Sequence, residues 1–276
     1  MTEIKNFIRT RPVFCYFILS LIISWSGIFI LLGPGGFTGA AKATDGQLPF
    51  VFLSMFAGPS VAGIVLSGLV NGRKGLGELL SRLFTWRVRI HWYVVAVLAA
   101  PLLMTGTLLA LSLISPGFLP GILASGDKVS LLMTGIAAGL MTGFFEELGW
   151  TGFAVSRLKS RYSILTTGII VGVMWGAWHY PLFSGGDSSG TVAPALFIPV
   201  LLFSHLPAYR VIMVWVYDRT GSLLIVMLTH AGLTGGTLII QPQAADGTYI
   251  LIYDLVLAAA LWIVIAIAQR RLKAGR

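Results

Sequence analysis

The chain has 276 residues, of which 56% are hydrophobic and only 11% charged, and its formal net charge is +9. Soluble domains carry about a quarter charged residues, so this composition excludes an ordinary water-soluble protein and indicates one that lies in the lipid bilayer. The basic residues occupy short segments between apolar runs, a pattern typical of membrane topology that argues against a nucleic-acid partner.

Eight apolar runs are long enough to cross a hydrocarbon core of about 30 Å, which takes roughly 20 helical residues. They predict an all-α fold, a polytopic membrane helical bundle of about eight transmembrane helices, as a single integral-membrane domain over residues 1–276. The predicted spans are Val13–Leu32, Leu48–Val70, Trp92–Ser115, Ser130–Leu158, Ser163–Phe183, Val192–Tyr217, Ser222–Gln241 and Tyr249–Ala268.

The positions of Lys and Arg predict the orientation, because these residues are in excess on the cytoplasmic side. Of the 19 basic residues, only Lys42 and Lys128 fall on the opposite side if Arg210 is counted near the cytoplasmic end of the sixth span. Both termini are therefore predicted to be cytoplasmic, in a multi-pass protein of the cell membrane. The longest polar segment, residues 71–91, is either a solvated basic loop or includes an interfacial amphipathic stretch, Leu76–Phe84.

Small residues repeat along one face of the fourth span, where Gly135, Gly139 and Gly143 are four residues apart. Such a ladder lets two membrane helices approach closely. We therefore expect these glycines to pack against another helix.

Two adjacent carboxylates, Glu146 and Glu147, lie inside the same apolar run. An ionised carboxylate in hydrocarbon costs several kcal/mol by the lower estimates, so it persists only with polar partners. Neighbouring helical residues point about 100° apart, so the two carboxylates cannot both face one small centre. One is expected to be catalytic and the other supporting.

Three histidines, His179, His205 and His230, also lie inside apolar runs. Counted along helices at about 1.5 Å per residue, Glu146 and His230 lie at matching depths, about 16 Å from basic clusters, whereas His179 lies about 27 Å from one. For His205, the favoured interpretation is a bond to backbone freed by Pro207, and the alternative is that it lines the same cavity.

A buried carboxylate can take a proton from water, and a nearby imidazole can share or relay that proton. Addition of that water to a carbonyl then needs donors for the developing oxyanion, a role for a second histidine and a hydroxyl. The residue set fits amide hydrolysis inside a membrane.

Three segments, Glu146–Phe153, Trp175–Pro181 and Thr229–Thr234, resemble in order and spacing the three motifs of the CAAX-processing and bacteriocin-processing (CPBP), or Abi-type, intramembrane proteases. The run Trp215–Leu223 is similar to the one that leads into the third motif. The resemblance covers the core 130–234 and implies an intramembrane endopeptidase acting on a membrane-associated or prenylated-like peptide or lipidated protein.

By that resemblance, Glu146 matches the water-activating glutamate and Glu147 its companion. His179 matches the histidine of the second motif, and His230 matches the third-motif histidine that stabilises the oxyanion. Thr234 stands where the third motif usually ends in Asn or Asp, and a threonine hydroxyl can still donate a hydrogen bond, although over a shorter reach.

Two further departures occur inside the motifs. Thr151 replaces an arginine that would form an ion pair with the second glutamate, so Glu147 must be protonated or paired elsewhere, with Arg210 and Arg157 as candidates. Trp175 replaces the usual phenylalanine of the second motif.

The involvement of a metal stays open at this point. A divalent ion such as zinc would have four candidate ligands, but the His-Glu-x-x-His helix that makes a zinc signal strong is absent, so a metal-independent mechanism is favoured. The candidate ligands are Glu146, Glu147, His179 and His230.

Two other classes of function compete with hydrolysis. A catalytically silent protein of the same fold, acting as a bacteriocin-immunity factor or scaffold, would account for Thr151 and Thr234. A proton-coupled transporter also uses intramembrane Glu and His, but no paired repeats are evident. Asp254 in the last span is interpreted as a polar helix contact, and Asp187 as part of an external loop. The sequence does not predict an oligomeric state.

Overall fold

A computed structural model of the protein describes residues 2–244 and 246–274. Its regular structure within these ranges is helical, apart from one isolated antiparallel bridge between Pro120 and Pro242. The longer helices are α1 (Thr2–Thr10), α2 (Pro12–Leu32), α3 (Leu48–Leu83), α4 (Ile90–Ser112), α5 (Lys128–Gly149), α6 (Ile164–Trp178), α7 (Pro194–Phe203), α8 (His205–Thr220), α9 (Leu223–Ile240) and α10 (Gly247–Ala274).

Seven helical segments in the described part of the chain are long and apolar enough to cross a membrane. This confirms the predicted all-α membrane bundle. The helix in the predicted span Ser163–Phe183 is shorter than expected. Helix α6 stops at Trp178 after 15 residues, and a separate helical turn, Tyr180–Phe183, follows. Pro181 in that turn lacks the N–H that would continue the helix, so the chain breaks at His179.

The three helices that carry the motif residues each begin at a side-chain cap. Asp127 accepts a hydrogen bond from the backbone N–H of Ser130 at the start of α5, and Ser163 accepts one from Thr166 at the start of α6. Ser222 does the same at the start of α9. Because the first N–H groups of a helix have no intrahelical partner, these caps define where each motif helix begins.

The polar segment after the second span is helical as far as Leu83. Helix α3 continues past Val70 and changes direction at Gly72, whose φ of 61° is a backbone conformation that favours glycine. The helical part beyond the kink buries Leu79 against Leu148 and Leu223. The structure therefore supports the amphipathic interpretation of this segment over the solvated loop.

The glycine ladder of α5 packs against α9, as the sequence predicts. A Cβ atom added at Gly139 would lie 2.5 Å from the carbonyl oxygen of Ala231, and one added at Gly143 would lie 2.3 Å from that of Met227. Only residues without a side chain allow this approach. The contact matters for function because α5 carries both glutamates and α9 carries His230.

Two irregularities lie close to the motif residues. Helix α5 passes directly into a π-helical stretch, Trp150–Val155, after the two glutamates. The predicted sixth span is divided into α7 and α8 at Ser204, three residues before Pro207. Wide turns and breaks of this kind reorient side chains and are frequent at functional sites.

We predict that Gly139→Ala lowers the free energy of unfolding by about 1–3 kcal/mol, because the added methyl group collides with backbone and pushes α9 away. Gly106→Ala in α4 is the matched control, since a Cβ there meets nothing within 4 Å. That change should be neutral or stabilising by up to about 1 kcal/mol, through helix propensity. Thermal unfolding in detergent measures both, and equal effects would contradict the proposed packing role.

Candidate active site

The structure brings the two glutamates and His230 together at the contact between α5 and α9. All three side chains are buried: Glu146 is 2% exposed, Glu147 0% and His230 1%. Polar atoms at this depth require partners within the protein.

The carboxylate of Glu147 has a complete set of partners. The guanidinium Nη1 of Arg210 donates to both carboxylate oxygens, at 2.8 and 2.9 Å, and the Thr151 hydroxyl donates to Oε2 at 2.5 Å. The imidazole Nδ1 of His230 lies 2.8 Å from Oε1. Since arginine stays protonated in proteins, this carboxylate is ionised and charge-balanced inside the bundle.

Arg210 corrects one element of the topological prediction. It is fully buried within α8 and does not lie near a cytoplasmic helix end, so it is not a topology-determining charge. Of the two candidate partners for Glu147, the structure selects Arg210. Arg157 instead lies over the ring of Phe153, with its guanidinium carbon 3.7 Å from the ring centroid. The arginine missing at position 151 is therefore replaced by one from another helix.

The carboxylate of Glu146 points to a different set of groups, as expected for adjacent helical residues. Its Oε2 accepts a hydrogen bond from the indole Nε1 of Trp175 at 2.7 Å. No hydrogen bond from a described residue reaches its other oxygen, Oε1. Glu147 is thus enclosed by charged and polar partners, whereas Glu146 keeps one carboxylate oxygen free for chemistry.

His230 lies between the two glutamates. Because the ionised carboxylate of Glu147 can only accept, the Nδ1 atom of His230 must carry a proton and donate it. Its other nitrogen, Nε2, has no hydrogen-bond partner and lies 3.9 Å from Oε2 of Glu146. Glu147 thereby fixes the orientation of the ring, and Nε2 stays free next to Glu146.

His179 lies on the other side of Trp175. Its Nδ1 is 2.8 Å from the backbone oxygen of Trp175, an acceptor, so this nitrogen donates and Nε2 carries the free lone pair. The His179 ring is 5.3 Å from the Trp175 ring, centroid to centroid. The His179 side chain is partly exposed and makes no hydrogen bond to either glutamate. This agrees with the residue count along the helices, which places His179 farther from a basic cluster than Glu146 and His230.

Thr234 lies one helical turn beyond His230 in α9 and is partly buried. Its hydroxyl forms no side-chain hydrogen bond with another residue in the described ranges. The hydroxyl is therefore available to a ligand, and its catalytic role stays a prediction.

The favoured interpretation of His205 is wrong. Its Nδ1 lies 3.6 Å from Oδ1 of Asp254, a residue of α10, and makes no hydrogen bond to backbone freed by Pro207. Both side chains are buried. The pair supports the interpretation of Asp254 as a polar helix contact, because each side chain gives the other a polar neighbour inside the bundle.

Asp187 belongs to the loop between Phe183 and Pro194 and serves to order it. Desolvation acts to raise the pKa of this carboxyl, but hydrogen bonds from Ser189, Thr191 and Val192 outweigh it and hold the pKa well below its usual range. These bonds occupy both carboxylate oxygens of Asp187.

The four candidate metal ligands do not form a metal site. Within the described ranges, no group of three or more His, Cys, Asp or Glu side chains is arranged to hold an ion. The physical reason is that Glu147 already neutralises the guanidinium of Arg210, and His230 directs its Nδ1 to Glu147. A cation bound to the carboxylate of Glu147 would have to displace Arg210.

Two residues contribute to the site in ways that the sequence patterns do not predict. The indole N–H of Trp175 donates to Glu146, whereas the sequence indicated only that Trp175 stands where the second motif usually has phenylalanine. The sequence made Arg210 a candidate partner of Glu147 but did not predict where its side chain lies. The sequence feature that indicates its role is its place within the apolar run 192–217. A cation there needs an internal carboxylate as strongly as the glutamates need a cation.

Comparisons with known proteins agree with the motif resemblance. Residues 128–235 match the family described as "Type II CAAX prenyl endopeptidase Rce1-like". The chain is also 26% identical over 179 residues to "CAAX prenyl protease 2" of Methanococcus maripaludis, an alignment that spans 63% of this chain and 63% of that protein. The matched region contains every glutamate, histidine and threonine of the candidate site.

We predict that Arg210→Met destabilises the protein by about 3–5 kcal/mol, because it leaves the carboxylate of Glu147 buried without its counter-charge. The double variant Arg210→Met/Glu147→Gln should recover a large part of that loss, since it removes both charges. Unfolding in lipid nanodiscs measures the two free energies. A single variant as stable as the wild type would contradict the ion pair.

Proposed function

We propose that the protein is an intramembrane endopeptidase that hydrolyses a peptide bond of a prenylated or otherwise membrane-associated peptide, because residues 128–235 match the Rce1-like family of type II CAAX prenyl endopeptidases. The observation that carries this proposal is a buried carboxylate, Glu146, with Oε1 free of hydrogen bonds from described residues and Oε2 3.9 Å from the unpartnered Nε2 of His230. A general base and a potential oxyanion donor therefore lie side by side.

Charge balance defines the resting state of the proposed site. Two carboxylates, Glu146 and Glu147, face one permanent cation, Arg210. The site is neutral overall when His230 is protonated and both glutamates are ionised. It is also neutral when the proton lies on Glu146 instead. Neutrality is strongly favoured in the bilayer, so the proton moves between these two groups without loss or gain of charge.

The first step is activation of water by Glu146. Its free oxygen Oε1 accepts a proton from a water molecule, while Nε2 of His179, the free lone pair of that ring, accepts the second hydrogen bond of the same water. The hydroxide so formed adds to the scissile carbonyl carbon. A positioned general base of this kind contributes about 10²- to 10⁴-fold to the rate.

The second step is stabilisation of the tetrahedral intermediate and its collapse. The N–H of protonated His230 at Nε2 and the hydroxyl of Thr234 donate to the oxyanion. When the C–N bond breaks, the proton held by Glu146 passes to the leaving amine nitrogen. One peptide bond and one water molecule are consumed, a carboxylic acid and an amine are released, and the site returns to its initial protonation.

The catalytically silent alternative depended on Thr151 and Thr234. Arg210 supplies the charge that Thr151 lacks, and Thr151 itself donates to Glu147, so that departure leaves the supporting carboxylate intact. The silent alternative therefore depends on the shorter reach of the Thr234 hydroxyl, and activity measurements test it.

The proposed setting follows the topology. We place the protein in the cell membrane with both termini cytoplasmic, and the lipidated end of the substrate in the bilayer. The substrate class comes from the name of the matching family and of its relative.

We expect Glu146→Gln to reduce cleavage of a prenylated CAAX peptide by about 10²- to 10⁴-fold, because the amide cannot take a proton from water. The His179→Ala variant should also abolish cleavage. The measurement is product formation by the purified protein in proteoliposomes, with unprenylated peptide as the specificity comparison. A chelator should leave the wild-type rate unchanged. Full activity of Glu146→Gln would exclude the proposed base.

Thr234→Val should lower kcat by about 10²- to 10³-fold with little change in KM, as loss of one oxyanion donor does in other hydrolases. The Thr234→Asn variant keeps a donor and gives it a longer reach, so it should retain or exceed wild-type kcat. If Thr234→Val has wild-type kcat, this hydroxyl plays no part in the reaction.

A further inference from the structure

Trp175 contacts four ionisable groups of the site, those of Glu146, His179, His230 and Arg210. It is buried, with 1% of its surface exposed. The edge of its indole faces Glu146, and its rings lie 5.0 Å from His230 and 5.3 Å from His179, centroid to centroid. The guanidinium carbon of Arg210 lies over its face, 4.2 Å from the ring centroid.

The contacts use different parts of the indole. The N–H lies in the ring plane and donates to Oε2 of Glu146 at 2.7 Å. The π face receives the cation of Arg210, a favourable electrostatic contact. The ring is therefore held by Arg210 from its face and by tight packing at its edges, so the direction of its N–H is fixed.

A glutamate needs such a fixed donor if one particular carboxylate oxygen is to act as the base. Rotation about its last side-chain bond has a broad energy profile, so a carboxylate without partners exchanges its two oxygens freely. In this site, the hydrogen bond to Oε2 removes that freedom. It leaves Oε1, to which no described residue donates, as the oxygen that meets water.

The donor is also neutral, and this matters for a base. A cation in the place of the indole would pair with Glu146 as Arg210 pairs with Glu147 and would weaken its attraction for a proton. The N–H of Trp175 orients the carboxylate without adding charge. The two adjacent glutamates thereby differ in their hydrogen-bond donors: Glu146 has the neutral indole of Trp175, and Glu147 has the guanidinium of Arg210.

We propose that Trp175 is a positioning residue that presents Oε1 of Glu146 to the hydrolytic water by holding Oε2 through its indole N–H. The inference rests on the proposed function of Glu146 as the base. It assigns to the indole nitrogen a role that an aromatic ring without an N–H cannot perform.

The test compares kcat and KM of Trp175→Phe with those of the wild type, using the prenylated peptide in proteoliposomes. We expect kcat to fall about 10- to 100-fold with KM changed less than about twofold, because a misdirected base affects the chemical step and not substrate binding. The control is Trp25→Phe, which also loses one indole hydrogen bond, a partly buried one to the backbone oxygen of Trp178. It should keep wild-type kcat.

An isosteric variant separates orientation from packing. Benzothienylalanine at position 175 replaces the N–H by sulfur and keeps the size of the indole. It should show the same loss of kcat with wild-type thermal stability. Wild-type kcat in this variant would overturn the inference, whether or not Trp175→Phe folds. If Glu146→Gln is inactive while the isostere is fully active, only the role of Trp175 fails. If Glu146→Gln is active, the proposed function fails first.

Discussion

The ion pair between Glu147 and Arg210 is the interaction on which the site depends. A carboxylate inside a membrane-spanning bundle is tolerated because a guanidinium from α8 neutralises it and a hydroxyl and an imidazole complete its hydrogen bonds. This pair joins α5 to α8, and through His230 it also joins both to α9. The same contacts that satisfy Glu147 therefore orient His230, whose other nitrogen faces Glu146, so stability and the proposed chemistry depend on one network.

The adjacent glutamates have different partners because helix geometry points their side chains in different directions. Successive residues point about 100° apart, so Glu147 faces the cation and Glu146 faces the indole N–H. One carboxylate is held as a permanent anion that positions an imidazole, and the other keeps a free oxygen. This pattern, two acids with contrasting surroundings, is how proteins assign different roles to chemically identical groups.

Much of this arrangement follows from the sequence, but not all of it. The apolar runs predict the spans, and the spacing of Gly135, Gly139 and Gly143 predicts the face that meets another helix, because both depend on local composition and periodicity. The position of Arg210 could not be predicted, since positive-inside counting treats every arginine as a surface charge. The contact between His205 and Asp254 was also missed, because it joins α8 to α10 and no local pattern records which helices pack together.

The central claim is that Glu146 activates water while His230 faces the oxyanion. An experimental structure with a prenylated peptide that carries a phosphinate at the scissile position tests it most directly, because the two phosphinate oxygens mimic the attacking hydroxide and the oxyanion. The account predicts one oxygen within hydrogen-bond distance of Oε1 of Glu146 and the other within reach of Nε2 of His230. A phosphinate bound away from both residues, or both of its oxygens on a metal ion, would contradict it.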